Sequence, residues 1–327
     1  MKKLFALLLT VVMVLSLAAC GQKAPATSDA QAPAAEGKPA GFPKGTITFI
    51  CPWDAGGSSD AISRVVADLG STYFGTNCVV KNSGGAGGTV ATTEFKNSAA
   101  DGYSICLEAI GVFTLQPFTR QVNYSLDDFT PVVALTSEPI VMVASKGSGI
   151  TSLEDLKNAK EVNYGFSGSG SLMELSQKLL FEKMDKEATG ISYDGSAATL
   201  AALLGDHIQV GVSHPGEVKQ YIESGDVTPL GIFSEERDPR EAFKDIPTFK
   251  EQGYDVNMSV WKFMIVPKNT PADITAYISE TLNKITADPK FTEFCEKNNL
   301  LAISMTTEEM IERINAEAEV NKAILGK

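Results

Sequence analysis

The stretch CPWDAGGSSD, residues 51–60, joins an apolar strand pattern (46–51) to a helical pattern and decides the fold. Apolar residues recur with helical spacing after it, at positions 62, 65, 66, 69 and 73. A strand that enters a helix through glycines is typical of an α/β sheet, where the helix N-terminus offers unpaired N–H groups to an anion. The stretch contains no lysine or arginine, so we expect several helix N-termini to replace a basic side chain.

Two other loops have a similar composition and position. The strand pattern at 78–82 runs into SGGAGGT (83–89), and the strand pattern at 162–166 runs into SGSGS (167–171). Ligands of open α/β sheets bind at the carboxyl ends of the strands. We therefore expect the three loops to line one cleft, although a tight turn without a ligand is the alternative for any single loop.

Strand and helix patterns alternate along the rest of the chain. Strand patterns lie at 103–110, 139–145, 228–234 and 261–267, and helical patterns at 271–287, 289–298 and 306–325 end the chain. The alternation predicts the α/β class, with parallel sheets covered on both faces. We expect two lobes that the strands near 140 and 262 connect, with lobe I at 43–143 plus 250–327 and lobe II at 144–249.

The N-terminus is typical of a secretory signal. Two lysines, an apolar run at 4–17 and small residues precede Cys20, and the cysteine resembles a bacterial lipobox. That resemblance implies removal of residues 1–19 and lipid on Cys20, which anchors the protein outside the cytoplasm at a cell membrane. An ordinary signal peptide and a short membrane helix are the alternatives. Residues 20–42, rich in Ala and Pro, predict a flexible tether.

Charge and cysteine content exclude some classes of function. The net charge of −12 argues against a nucleic-acid partner but allows a local site for a small anion. For the four remaining cysteines, Cys51, Cys78, Cys106 and Cys295, we favour buried free thiols over disulfides. With two histidines and no metal-ligand spacing, we expect no metal site.

No enzyme motif is complete. The chain lacks a Walker phosphate loop, and the glycine pattern at 85–90 ends in valine, so we expect no cofactor. The stretches GFSGS (165–169) and GVSHP (211–215) start like nucleophile elbows but lack the final glycine. A hydrolase would have to pair Ser167 or Ser213 with His214, and a structural histidine is the alternative. We expect a protein without catalysis.

Motifs in order along residues 44–325 carry a resemblance to a known family. They are PWDAGGSSD (52–60), GAGG (85–88), DGYS (101–104), YGFSGSGS (164–171), YDGSA (193–197) and IPTFKEQG (246–253). In this order they resemble the Bug-type extracytoplasmic solute receptors of tripartite tricarboxylate transporters. The resemblance implies a type II periplasmic-binding-protein fold with two lobes around a cleft. It also implies binding of a small organic carboxylate and its delivery to a membrane permease, without catalysis. We expect the protein to be a monomer.

Family members typically hold a ligand carboxylate with loop backbone groups, small hydroxyls and ordered waters. Carried over by position, the resemblance implies ligand contacts from Trp53, Gly56, Gly57, Ser58, Gly87, Ser167, Ser171, Ser196 and Ala197. Asp60 is expected to brace the loop rather than to contact the ligand. A surface sensor that presents its ligand-bound form to a signalling receptor would need the same cleft and is the alternative to transport.

Two acidic residues depart from the family pattern. Asp54 stands where the family commonly has a small residue or proline, and Glu174 stands near the usual position of a histidine. We therefore hypothesise a ligand with fewer carboxylates than a tricarboxylate, carrying a cation or an aromatic ring. Trp53 could stack on either group, and rim packing is the alternative for its side chain.

Overall fold

A computed structural model of the chain describes residues 37–326. The predicted signal peptide, Cys20 and most of the predicted tether lie outside the described residues. No helix within the described range combines the length and the apolar character needed to cross a bilayer.

The described residues form an α/β fold, which confirms the predicted class. The strands are β1 (Ile47–Cys51), β2 (Cys78–Asn82), β3 (Ser104–Ala109), β4 (Phe129–Pro139), β5 (Val141–Ser145), β6 (Asn163–Ser167), β7 (Thr189–Tyr193), β8 (Val210–Ser213), β9 (Val227–Ile232), β10 (Ser259–Pro267) and β11 (Leu301–Ala302). The α-helices are α1 (Ser58–Gly70), α2 (Thr89–Lys96), α3 (Gly111–Thr114), α4 (Gln116–Thr119), α5 (Leu153–Asn158), α6 (Leu172–Lys183), α7 (Ser196–Leu204), α8 (Pro215–Glu223), α9 (Ala272–Thr286), α10 (Pro289–Lys297) and α11 (Thr307–Ile324).

The strands form two sheets, with spatial orders β11-β4-β10-β3-β1-β2 and β7-β6-β8-β5-β9. Strand β1 is parallel to β2 and β3, and β6 is parallel to β7 and β8. The prediction of parallel sheets is wrong for the other pairs, because β10 runs antiparallel to β3 and β4, and β5 runs antiparallel to β8 and β9. Both sheets are therefore mixed, and the returning strand β10 lies in the middle of the first sheet.

The chain passes between the sheets at Ile140. The predicted strand at 139–145 is two strands, because β4 ends at Pro139 in the first sheet and β5 begins at Val141 in the second. The pattern of β4 was not recognised, since Pro131 interrupts it; that proline lies at a register shift against Ile265, where a strand tolerates proline. The second sheet comprises β5–β9, and the division into two lobes stays a prediction.

Apolar side chains of α1 anchor it to the first sheet. Ile62, Val66 and Leu69 are buried with Ile47 and Phe49 of β1 in one cluster. Each such side chain contributes roughly 1.5–3 kcal/mol when it leaves water. This burial of α1 side chains fixes where α1 begins and so positions the loop before it.

The four cysteines in the described range are free thiols, three of them buried, as the sequence favoured.

Candidate functional site

Three loops meet at one place between the two sheets, as predicted. They follow β1, β2 and β6 and lead into α1, α2 and α6. A pocket of about 60 Å³ lies there, and we call it the inter-sheet pocket. Its lining includes seven of the predicted site residues, Trp53, Gly57, Ser58, Gly87, Ser167, Ser171 and Ser196. It also includes Asp54, Ser59, Ala109, Gly111, Val112, Gln116, Leu172, Met173, Gly195, His214, Val260 and Lys262.

The two other predicted site residues, Gly56 and Ala197, do not line the inter-sheet pocket. They border a neighbouring pocket of about 360 Å³, which shares Gly57, Ser58, Ser196 and His214 with the first. A Cβ atom on Gly56 would lie 3.7 Å from the Cβ of Ala197, so the loops after β1 and β7 pack against each other. The wall between the two pockets is thus made from both sheets.

Backbone contact joins the loops that follow β2 and β6. A Cβ atom on Gly168 would lie 2.5 Å from the Cα of Gly87, and both glycines have positive φ, so side chains are excluded from this contact. Gln116 Nε2 donates to Ser169 O at 3.2 Å, and Arg120 donates to Ser169 O and to Ala86 O. These contacts close one side of the inter-sheet pocket.

A buried ion pair lies at the wall of the inter-sheet pocket. Lys262 Nζ lies 2.5 Å from Glu138 Oε1, and it also donates to Ser58 Oγ at 2.8 Å. Ser58 Oγ in turn donates to Glu138 Oε2 at 2.6 Å, and Thr136 Oγ1 donates to Glu138 Oε1 at 3.1 Å. The side chain of Glu138 is fully buried and that of Lys262 is 2% exposed. The carboxylate is therefore neutralised by partners from three parts of the chain.

His214 lies beside the same carboxylate. Its Nδ1 atom is 3.3 Å from Glu138 Oε2, and burial lowers the pKa of His214 although Glu138 acts in the opposite direction. Burial acts to raise the pKa of Glu138, but the charges of His214 and Lys262 and the hydrogen bonds to the carboxylate outweigh burial, so its pKa is about 2. Lys262 is the cation in direct contact with this carboxylate.

A second carboxylate, the partly buried Glu217, takes the hydrogen-bond donors that the sequence predicted for a ligand. It accepts from Ser58 N at 2.7 Å, where α1 begins, and from Ser196 Oγ at 2.5 Å, where α7 begins. It also accepts from His214 N at 3.2 Å and from Ser213 Oγ. Burial acts to raise the pKa of Glu217, but the charge of His214 and the serine hydrogen bonds outweigh burial and lower it.

The predicted role of the α1 N-terminus, to bind an external anion in place of a basic side chain, thus needs correction. Glu217, a carboxylate of the protein itself, accepts the hydrogen bond of Ser58 N at the start of α1, so this donor is already used within the protein. The Ser–His hydrolase alternative also lacks its hydrogen bond within the described residues, since Ser213 Oγ donates to Glu217 and His214 Nδ1 faces Glu138. Ser167 also lines the inter-sheet pocket.

The acidic residues singled out in the sequence have different environments. Asp60 accepts hydrogen bonds from Gly56 N and Arg64 Nε, so its predicted role as a loop brace is confirmed. Asp54 is exposed and lines the inter-sheet pocket. Glu174 does not line it; its carboxylate lies 2.5 Å from Lys178 Nζ. Of the two departures from the family pattern, only Asp54 therefore lies at the pocket.

Sequence reasoning missed the charged residues of the site. Lys262 stands inside the apolar strand pattern at 261–267 and Glu138 directly before the one at 139–145, where a buried charge is stable only with a partner. A charged residue in or beside an apolar strand pattern is a signal in the sequence, and it would have marked both residues as a candidate ion pair. Glu217 gave no such signal, because it lies in the first turn of α8, where acidic residues are common. The part of the chain that the structure describes shows no group of three or more metal-ligating side chains.

Comparisons with known proteins agree with this geometry. Residues 62–327 match the model of the tripartite tricarboxylate transporter family receptor. The chain is 30% identical over 259 residues to the UPF0065 protein in the TAR-I ttuE-ttuC' intergenic region of Agrobacterium vitis, covering 77% of this chain and 74% of that protein.

Solved structures show the same fold. The periplasmic binding protein BugD superimposes with a TM-score of 0.82 at 26% identity, over 87% of this chain and 98% of BugD. The R. palustris protein Rpa4515, solved with adipate, gives a TM-score of 0.80 at 25% identity, over 86% of this chain and 97% of that one.

Proposed function

The chain belongs to the tripartite tricarboxylate transporter receptor family, and we propose that it is an extracytoplasmic receptor for a small organic anion. The observation that carries this proposal is the inter-sheet pocket, into which glycine and serine loops of both sheets converge. A concave, mostly apolar pocket with a small number of convergent polar groups is typical of small-molecule sites. The proposed role is to bind the anion there and deliver it to a membrane permease.

The pocket lining favours a short acid with an apolar part. The lining includes Ser58, Ser167 and Ser171, which carry hydroxyl groups, and the apolar residues Val112 and Leu172. A similar fold holds adipate, a dicarboxylate with an apolar chain, in the R. palustris protein. We therefore place mono- and dicarboxylates ahead of tricarboxylates as ligands.

Anchoring and assembly complete the proposal. The sequence around Cys20 supports lipid attachment, with residues 20–42 as a tether that leaves the folded part free to reach a permease. We propose that the protein acts as a monomer with two lobes around the pocket. The family assignment supports a receptor rather than an enzyme, and no feature of residues 37–326 favours the hydrolase or sensor alternatives.

A thermal-shift screen tests the proposal. The lipid-free chain (21–327, with Cys20 replaced) is unfolded and refolded to remove any carried ligand, then tested with mono-, di- and tricarboxylates, amino acids and aromatic acids. A ligand at about 100 times its Kd stabilises the fold by about 2.7 kcal/mol, a shift of several degrees. The expected result is a selective carboxylate that Trp53→Ala weakens and Leu301→Ala, at an exposed position outside the pocket, does not. A folded sample that responds to no acid contradicts the proposal.

A further inference from the structure

Lys262 is the only lysine or arginine that lines the inter-sheet pocket within residues 37–326. It lies on β10, which the fold inserts between β3 and β4 in the middle of the first sheet. A lysine in the centre of a sheet is rarely buried without a partner. Its position therefore calls for a reason beyond packing.

The two residues of the Lys262–Glu138 ion pair lie differently with respect to the pocket. Lys262 lines the pocket, whereas its partner Glu138 is fully buried and does not. Glu138 also accepts hydrogen bonds from Ser58 and Thr136, so its oxygens are occupied within the protein. Of the two residues of the pair, the cationic one is thus the one that lines the pocket.

The ammonium group has unused donor capacity. A lysine ammonium has three N–H donors, and the structure shows partners for two of them, Glu138 Oε1 and Ser58 Oγ. The neighbouring helix terminus offers a ligand less than expected, because Glu217 already accepts from Ser58 N and Ser196 Oγ. Lys262 is therefore the positive group of the pocket that is left to receive an external anion.

We propose that Lys262 is the anion anchor of the inter-sheet pocket, donating its third N–H to a carboxylate of the ligand while Glu138 and Ser58 position its ammonium group. This inference rests on the proposed function and sharpens it. It assigns charge selectivity to one residue, so that an acid binds more tightly than its amide of the same shape. In this arrangement the ligand carboxylate lies against Lys262, and the lining residues Val112 and Leu172 are available to an apolar part of the ligand.

The test is isothermal titration of wild type and variants with adipate and with the acid that gives the largest thermal shift, each compared with its amide. Lys262→Met combined with Glu138→Gln removes the pair without leaving a buried charge. We expect this double variant to bind the acid about tenfold to a hundredfold more weakly and the amide unchanged. Lys262→Arg is expected to retain part of the acid preference, because it keeps the charge.

Lys178→Met is the matched control, since it removes an exposed lysine outside the pocket. Thermal unfolding of each variant establishes that it is folded before titration. If the folded double variant binds the acid as tightly as wild type, the anchor role of Lys262 is overturned and the receptor function stands. If wild type itself binds no acid, the proposed function fails, and this inference fails with it.

Discussion

Two fully buried glutamates flank strand β10, and they carry opposite protonation states. Glu138 lies on β4 opposite Val260, and Glu108 lies on β3 opposite Phe263. Glu138 has a pKa of about 2, whereas burial raises the pKa of Glu108 to about 8 against the opposing hydrogen bonds from Thr92 and Cys106. The same residue type in the same sheet is thus ionised on one side of β10 and mostly protonated on the other near pH 7.

The difference comes from the partners that each carboxyl meets. Lys262 and three further polar side chains face Glu138, while Glu108 Oε2 has no hydrogen-bond partner. Burial penalises a charge unless a counter-charge and donors replace water. Lys262, Ser58 and His214 line the inter-sheet pocket, whereas Glu108, Thr92 and Cys106 do not. The fixed charges of this sheet therefore lie beside the pocket that we propose as the ligand site.

The largest expected effect is the loss of stability when Lys262 is replaced. Replacing it with Met leaves Glu138 buried without its cation, so we expect the free energy of unfolding to fall by about 3–5 kcal/mol near pH 7. Adding Glu138→Gln should restore most of that loss. Urea unfolding measures both, with Lys284→Met, an exposed lysine, as the control. Equal stability of the single and double variants would show that the pair is not coupled.

The second prediction concerns Glu108 and pH. Its pKa is raised from 4.5 when unfolded to about 8 when folded, so the folded state binds the proton more tightly. Wild-type stability should therefore fall as pH rises between these two values, by roughly 3 kcal/mol up to about pH 7.

Glu108→Gln should remove this component, and the difference between variant and wild type should grow with pH. Urea titrations at several pH values check it, with the exposed Glu94→Gln on α2 as the control. A pH-independent difference would mean that Glu108 is ionised in the folded protein.

Glu217 is an intermediate case that sharpens the comparison, because hydrogen-bond donors surround it but no lysine or arginine of residues 37–326 forms an ion pair with it. An amide at this position has a single oxygen for four donors, so Glu217→Gln should cost about 1–3 kcal/mol of stability. Thermal unfolding checks this against Glu223→Gln, which changes an exposed carboxylate on the same helix. A neutral effect of Glu217→Gln would indicate that solvent already satisfies the donors of Ser58 and Ser196.

The smallest effect is expected for Asp54, an exposed carboxylate at the pocket. Its removal lowers repulsion of an anionic ligand by about 1 kcal/mol or less in a solvent-exposed setting. Asp54→Asn should therefore bind a carboxylate up to about fivefold more tightly, and Asp68→Asn on the exposed face of α1 should not. Weaker binding in Asp54→Asn would favour a ligand that carries a cation.

Much of the lining of the inter-sheet pocket was accessible from sequence because its loops have local signatures. Seven of the nine predicted residues lie in the inter-sheet pocket, since glycine and serine loops must follow strand ends wherever the sheet forms. Gly56, in the loop before α1, and Ala197, in the first turn of α7, border the neighbouring pocket instead. Which of the two pockets a residue borders depends on how the segments after β1 and β7 pack against each other. No local sequence pattern contains that information.

The sequence by itself determined the α/β class, the starts of α1, α2 and α6, and the ordered motifs of the family, because periodicity and glycine placement act over a few residues. Only the tertiary structure decided which charges meet. Lys262 and Glu138 are 124 positions apart, and Ser58 and Glu217 are 159 apart. Their contacts require β10 to enter between β3 and β4 in one register, and α8 of the second sheet to face α1 of the first. Strand order and sheet packing therefore decide the electrostatics of the pocket.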